Sequence, residues 1–384
     1  MAQAIENPIM QMELSPAQKE ARLRFRGFVQ EHIRPYAAQW DRDEAVSPKV
    51  IDHLRSLGYL GSPVRRSEGS MDPITYGLLT EEIARGCSSV RSLLTVHDMV
   101  SIGIWRWGCT ELKAEFAEAV AHGDLLCALA LSEPEAGSDA ANVATEAVLE
   151  DGEYVLSGTK RWTTFGQIAD LFLVLARCEE KLTAFLVPAN SPGVSRKPMS
   201  GIIGTRASLL AEIVFDDCRV PKHYMLGKVG FGLSHVISTA LDHGRYSVAW
   251  GSVGIAQACL DACLHYTSSR RQFGCALRDH QLVQRMLTEM IVHTRAARLL
   301  CYRAGYLRST GDPGAYAETL VAKYFASRTA VRSANDAVQL HGANGMSDEY
   351  PVGRYLRDAK VMEIIEGSTQ IQQVAIAKSP LAEI

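Results

Sequence analysis

The chain has 384 residues, 47% hydrophobic and 22% charged, with a formal net charge of −3. That length exceeds what one compact core usually holds, so two or three domains are expected. The near-neutral balance gives no reason to expect nucleic acid or an anionic membrane as partner, and nine scattered cysteines, an odd number, do not read as a disulfide framework.

The first residues, Met1 to Glu6, lack a basic stretch followed by an apolar run, so no export signal is expected there. No run reads as apolar enough to span a bilayer, and a cytoplasmic protein is expected. Ser15-Pro16-Ala17-Gln18 carries a capping Ser, a Pro at the first helical position and a Gln three residues on, which predicts a helix start. Ser47-Pro48 repeats the signal, and helical patterns follow over 74–85, 90–107 and 111–122. Near Leu125 the character changes to short apolar runs between turns, at 146–149, 154–157, 171–176, 182–187 and 212–215. Asp151-Gly152 predicts a tight hairpin between the first two. From Gly232 the helical period returns over 256–270, 281–307 and 315–341. Cys259 and Cys263 share a helical face without further ligands, so packing is their expected role. The expected domains are helical over 1–126, β over 127–231 and helical over 232–384.

Four segments carry polar chemistry. Leu131-Ser132-Glu133-Pro134, followed by Gly137-Ser138-Asp139, offers backbone N–H groups and hydroxyls that suit a diphosphate or a ring edge, and reads equally as a capped polar loop. Trp162 with Thr163-Thr164 offers a flat face and hydroxyls, or simply an edge Trp. Arg270-Arg271-Gln272-Phe273 ends a helix with cations that suit phosphate or the helix dipole. Gln339-Leu340-His341-Gly342-Ala343 is a helix stop built of small residues. The fifth segment is Ile364-Ile365-Glu366-Gly367-Ser368-Thr369-Gln370. A carboxylate beside two isoleucines is expected to lose hydration and gain basicity, and the glycine after it lets a ligand approach, which suits a base that takes a proton from carbon.

Taken together and in this order, the five segments resemble the FAD-dependent acyl-CoA dehydrogenase superfamily over nearly the whole chain. The resemblance implies a mainly α fold with a central β domain: an N-terminal helical domain, a β-barrel-like middle domain and a C-terminal four-helix bundle, assembled as a homo-oligomer, usually a tetramer. It implies that Leu131 and Ser132 meet the flavin ring, Ser138 the diphosphate, and Trp162 and Thr164 the ring again. Arg270, Gln272, Phe273 and Leu277 reach FAD across a subunit interface, and Gln339, Gly342 and Ala343 hold the adenine-side diphosphate. Ser368 and Gln370 complete the cofactor set, and Glu366 is the catalytic base. Ala343 stands where the family has a second glycine, and its methyl group is expected to crowd the diphosphate. Some members carry the base before an Arg on another helix; the matching pair here is Gly244-Arg245, so that carboxylate is missing.

Residues 87–92, 244–251 and 357–367 resemble the branch of polyketide extender-unit pathways that acts on carrier-protein thioesters toward hydroxymalonyl or methoxymalonyl units. Arg91 also matches the position where glutaryl-CoA dehydrogenases hold a distal carboxylate. Arg91, Ser92, Arg245 and Gly367 are the implied substrate contacts. Expected partners are an acyl-carrier-protein or CoA thioester and an electron-transfer flavoprotein. The chemistry this implies is removal of an α-proton by Glu366 and hydride transfer to flavin N5, the thioester oxygen being held by the Glu366 N–H, a type of contact worth about 3–4 kcal/mol. A glutaryl-CoA-type or short-chain catabolic dehydrogenase and a non-catalytic partner-binding member are the alternatives.

Overall fold

The computed structural model describes residues 13–65 and 69–379. The segment read for an export signal lies outside them. Six helices come first: α1 (Pro16–His32), α2 (Ala37–Asp43), α3 (Pro48–Ser56), α4 (Pro73–Gly86), α5 (Ser88–Trp107) and α6 (Thr110–His122). Ser15 and Gln18 close the expected capping box, each side chain bonding the other's backbone N–H. Helices α4 and α5 are buried along most of their length, which their polar residues would not suggest: Thr80, Glu81, Glu82, Arg91, Thr95, His97 and Asp98 are all inside. Part of the explanation is pairing. Glu81 and Glu82 receive Arg22, Arg26, Arg85 and Arg298 from three other directions.

The β domain comprises β1 (Cys127–Ala130), β2 (Glu146–Glu150), β3 (Glu153–Thr163), β4 (Leu171–Cys178), β5 (Lys181–Pro188), β6 (Val194–Pro198), β7 (Ala211–Pro221) and β8 (Met225–Leu226). They form one sheet in the order β6-β7-β3-β2-β4-β5-β8, with β1 added parallel to β4. Asp151 and Gly152 both take positive φ, as the β2–β3 hairpin turn demands. A buried ion pair joins β3 to the loop after β1: Lys160 Nζ lies 2.7 Å from Glu133 Oε1 and 3.2 Å from the Leu131 carbonyl. Lys160 is fully enclosed. Removing one partner of such a pair strands a buried charge, so Lys160→Met is expected to lower stability by about 3 kcal/mol, read as a lower urea midpoint.

The remaining elements are α7 (Ser238–Ser269), the short hairpin β9 (Arg271–Gln272) and β10 (Cys275–Ala276), then α8 (Gln281–Thr310), α9 (Ala315–His341), α10 (Val352–Met362) and α11 (Thr369–Ala377). A π-helical turn over Gly232–Ile237 leads into α7, which therefore begins well before the periodic segment that announced it. Cys259 and Cys263 are buried and unpaired, as expected. The bilayer reading needs correcting. The stretch Gly232–Ser269 contains an 18-residue window apolar enough to cross a membrane, with a mean hydropathy of 1.2, but 78% of that window is buried within the protein. Its apolar surface is taken up by α4, α5, α8 and α9, which pack around it. The helix is hydrophobic on every side because it is central.

Candidate active site

Glu366 sits in the turn between α10 and α11, with φ of +56°, followed by Gly367 at +90°. A left-handed glutamate is costly and persists only where its surroundings hold it. The holders are three side chains. Arg245 Nε donates to the Glu366 carbonyl at 3.0 Å, Gln372 Nε2 to the same oxygen at 3.1 Å and to the Gly367 carbonyl at 3.2 Å, and Lys323 Nζ to the Gly367 carbonyl at 2.7 Å. Ser368 caps α11 by accepting from the Ile371 N–H. The Glu366 N–H finds no acceptor among the described residues.

The residue is partly exposed, but its carboxylate oxygen Oε2 is enclosed and has no hydrogen-bond partner. Burial pushes its pKa up to about 7, against the opposing pull of Arg245, Arg91 and Lys323. The source of that burial differs from the sequence expectation. Ile364 is 56% exposed and shields nothing. The carboxylate is instead covered from α5 and α7: a Cβ placed on Gly244 would stand 2.6 Å from Oε2 and 2.8 Å from Met99 Sδ. Glu363, which a continuous helix would put on the same face, does not join Glu366, because α10 ends at Met362 and Glu363 pairs with Lys360 at 2.8 Å. With Glu366 as the base that the sequence leads one to expect, its ionised form is the active one, so kcat/KM should be half-maximal near pH 7 and fall tenfold per unit below it; a profile flat from pH 6 to 8 would contradict this assignment.

Arg91 is fully buried, which is rare for an arginine. Its Nη1 donates to Thr95 Oγ1 at 2.9 Å and its Nη2 reaches Met362 Sδ at 3.5 Å, while Nε has no partner. Desolvation lowers its pKa to about 10, with Glu366 the largest opposing influence, so it stays charged. Ser92 turns elsewhere. Its hydroxyl meets Ser208 Oγ at 2.8 Å and ties α5 to the loop that packs under Phe165.

Two groups of the remaining predicted residues form. In the first, the Arg161 N–H donates to the Ser132 carbonyl at 2.7 Å, which sets Leu131 and Ser132 beside Trp162. Trp162 has φ of +64° and is half exposed. Phe165, three residues on, is buried in the N-terminal core and anchors this loop. Ser138 is exposed on the loop beyond. The second group lies elsewhere. Arg270, Gln272 and Phe273 are exposed at the end of α7, Phe273 at 96%, and Leu277 follows them half-buried. Gln339, Gly342 and Ala343 are exposed at the end of α9, where Tyr266 Oη bonds the His341 carbonyl and Asn344. Arg270 lies 26 helical residues beyond Gly244 on α7, about 39 Å at 1.5 Å per residue. Gln370 is exposed on α11. Lys323 and Gln372 were not foreseen. The available signal was a lysine inside the buried small-residue stripe of Leu320, Ala326, Ser327 and Ala330.

A desolvated carboxylate in a chain of helical, β and helical parts has counterparts among known proteins. Residues 15–124, 128–218 and 231–381 match the N-terminal, middle and C-terminal domains of acyl-CoA dehydrogenase. The chain belongs to the acyl-CoA dehydrogenase family, flavin oxidoreductases acting on acyl thioesters. It is 35% identical to the short-chain specific acyl-CoA dehydrogenase of Rattus norvegicus mitochondria, across 95% of this chain and 90% of that one. Among solved structures it superposes on butyryl-CoA dehydrogenase from Megasphaera elsdenii with a TM-score of 0.92 and 32% identity, covering 97% of this chain and all of that one (100%). It superposes on a glutaryl-CoA dehydrogenase from Mycobacterium smegmatis in complex with FADH2 at 0.91 and 27%, covering 95% and 94%. FkbI, described for biosynthesis of a methoxymalonyl extender unit, gives 0.85 and 31% over 94% and 99%.

Proposed function

We propose that the chain is an FAD-dependent dehydrogenase of a short, oxygen-bearing acyl thioester, tethered to an acyl carrier protein in extender-unit biosynthesis. The observation that carries this reading is a fully buried Arg91 in the field of an unpaired, desolvated Glu366. A hydrocarbon acyl chain gives no reason to keep a guanidinium there, since its desolvation goes unrewarded.

The residues present fit FAD. Trp162 offers an exposed ring held at a strained φ beside Leu131 and Ser132, and neither Ser132 nor Thr164 uses its hydroxyl within the described residues. When bound, FAD supplies the hydride acceptor. The protein's part follows from its own groups. The Glu366 N–H, free of any internal acceptor, would bond the thioester oxygen and favour the enolate as charge develops. Glu366 Oε2 takes the α-proton. Arg245, Gln372 and Lys323 keep the turn from relaxing, and the cover from Met99 and Gly244 excludes water. The second residue group, far along α7 and α9, would serve the FAD of a neighbouring copy, which fits a homo-oligomer.

Purified protein assayed with the same hydroxylated acyl group on a carrier protein and on CoA should turn over the carrier-bound form at least tenfold better. Turnover of the CoA ester alone would end the tethered-substrate claim. Arg91 also favours a second reading, a glutaryl-CoA-type enzyme; absence of flavin bleaching by excess glutaryl-CoA would dismiss it.

A further inference from the structure

Lys160 and Arg298, drawn into the interior elsewhere, each meet a carboxylate, Glu133 at 2.7 Å and Glu81 at 2.8 Å. Lys323 does not. It is fully enclosed on α9, forms no ion pair among the described residues, and gives its ammonium one acceptor, the Gly367 carbonyl at 2.7 Å. An ammonium carries three N–H donors, and a buried charge without a countercharge in contact works against stability. The stripe around it, Leu320, Ala326, Ser327 and Ala330, is uncharged and gives no reason for a lysine. The turn that it reaches does. Arg245 from α7, Arg91 from α5 and Lys323 from α9, in that order, draw the Glu366 pKa down against burial. None of the three bonds the carboxylate, since neither of its oxygens has a hydrogen-bond or ion-pair partner among the described residues. Arg245 and Lys323 hold the neighbouring backbone carbonyls instead. A cation bonded directly would occupy a lone pair that an incoming proton needs. A cation one peptide away favours the ionised form and leaves both oxygens open. Arg245 also bonds Tyr316 Oη at 2.9 Å, whereas the turn is all that the Lys323 ammonium bonds.

We propose that Lys323 is a positioning residue for the proton transfer: it fixes the Gly367 end of the turn and sets one buried positive charge beside Glu366 without touching the carboxylate, so that the base can ionise although Oε2 is shut off from water. Its part in catalysis rests on the dehydrogenase reading above; its effect on the ionisation of Glu366 does not. The charges that act on Lys323 are Glu366 and Glu363 from the turn after α10 and Arg245 from α7, and α8 contributes none of them. The side chain of α11 that shares the Gly367 carbonyl, at 3.2 Å, is the neutral Gln372. Burial pushes Lys323 down to about 8, with Glu366 the largest influence holding it up, so the ammonium is charged at neutral pH. The two groups support each other's charge, and the loss of one is felt by the other. Without the Lys323 charge the ionised form of Glu366 loses a favourable neighbour. Its pKa then rises above 7, and less of the base is ionised at neutral pH.

Infrared titration of the purified flavoprotein reads that ionisation without turnover. The C=O band of protonated Glu366, identified by its absence from Glu366→Gln, should have its midpoint near pH 7 in the wild type. Lys323→Gln keeps a donor for the Gly367 carbonyl but not the charge, and Lys323→Met keeps neither. Both should raise the midpoint by about one unit, and Lys323→Arg, which keeps the charge, should hold it within about 0.3 unit of the wild type. The pH midpoint of flavin reduction by substrate should move with the band. Melting temperature and FAD content show which variants fold, and either neutral variant suffices. A midpoint within about 0.3 unit of the wild type in a folded neutral variant overturns the proposal and leaves Lys323 as a packing residue, whatever its effect on the rate. An equal rise in Lys323→Arg overturns it as well, because the charge would not be the cause. The dehydrogenase reading fails separately, if no acyl thioester bleaches the flavin of the wild-type protein.

Discussion

Glu366→Gln is expected to leave a yellow protein whose flavin substrate no longer bleaches. The substitution keeps the side chain's length and its place against Gly244 but removes the carboxylate that faces α5 and α7; Glu363, the other carboxylate of the turn, is engaged with Lys360. General-base catalysis contributes about 10²- to 10⁴-fold, and the reductive rate should fall by that factor with FAD still bound. A second readout follows from linkage. The folded protein raises the Glu366 pKa from the ordinary 4.5 to about 7, so between those values it binds the proton more tightly than the unfolded chain does. Stability from this group is full below pH 4.5, declines as pH rises to 7, and is absent above it. The neutral Gln escapes that loss, so the variant should melt higher than the wild type at pH 8 and equally at pH 4. An inactive variant with a lowered melting temperature at pH 8 would mean that the residue is structural. Wild-type rates would move the base to another group.

Gly244→Ala should cost about 10²-fold in kcat with little change in FAD content. The added methyl would fall 2.6 Å from Glu366 Oε2, 2.7 Å from its Cδ and 2.8 Å from Met99 Sδ. The helix backbone cannot retreat, because Gly251 and Gly254 further along α7 are themselves packed against α5 and α4. The carboxylate must therefore swing away, and a displacement of about 1 Å is enough for a loss of that size. Measured pre-steady-state flavin reduction isolates the effect. Reduction at the wild-type rate would show that the carboxylate has more freedom than its packing suggests. The same contact explains the pairing of Gly244 with Glu366: only one carboxylate fits here, whichever element supplies it.

Much of the architecture was legible in local signals. Capping residues, the Asp-Gly turn and the two periods located most of the long helices and the strands β2, β3, β4, β5 and β7, because those signals act within a few residues; α2, α10 and the remaining, mostly short strands carried no such signal. The exceptions are informative. Strand β6 (Val194–Pro198) is mostly exposed and polar, and it forms because β7 offers an edge to pair with. Helix was expected from Gly232, where it begins, but only 256–270 read as amphipathic, because most of α7 before it is buried.

At the site, motif resemblance pointed to Glu366 and Arg245, which meet in the structure, but the local reason given for the raised basicity of Glu366 does not hold, since Ile364 is turned to the surface. Desolvation by Ile364 and Ile365 is a statement about sequence neighbours, whereas a side chain's surroundings are set by whatever element folds over it. The amino-acid sequence by itself determined the helix–strand–helix order of the chain and the family it belongs to, and singled out Glu366 as the expected base, since each rests on periodicity, turn chemistry or motif spacing. Only the tertiary structure decided which groups surround that base. Met99, Gly244, Arg91 and Lys323 lie 43 to 275 residues away along the chain and meet it through helix packing, which no local pattern encodes.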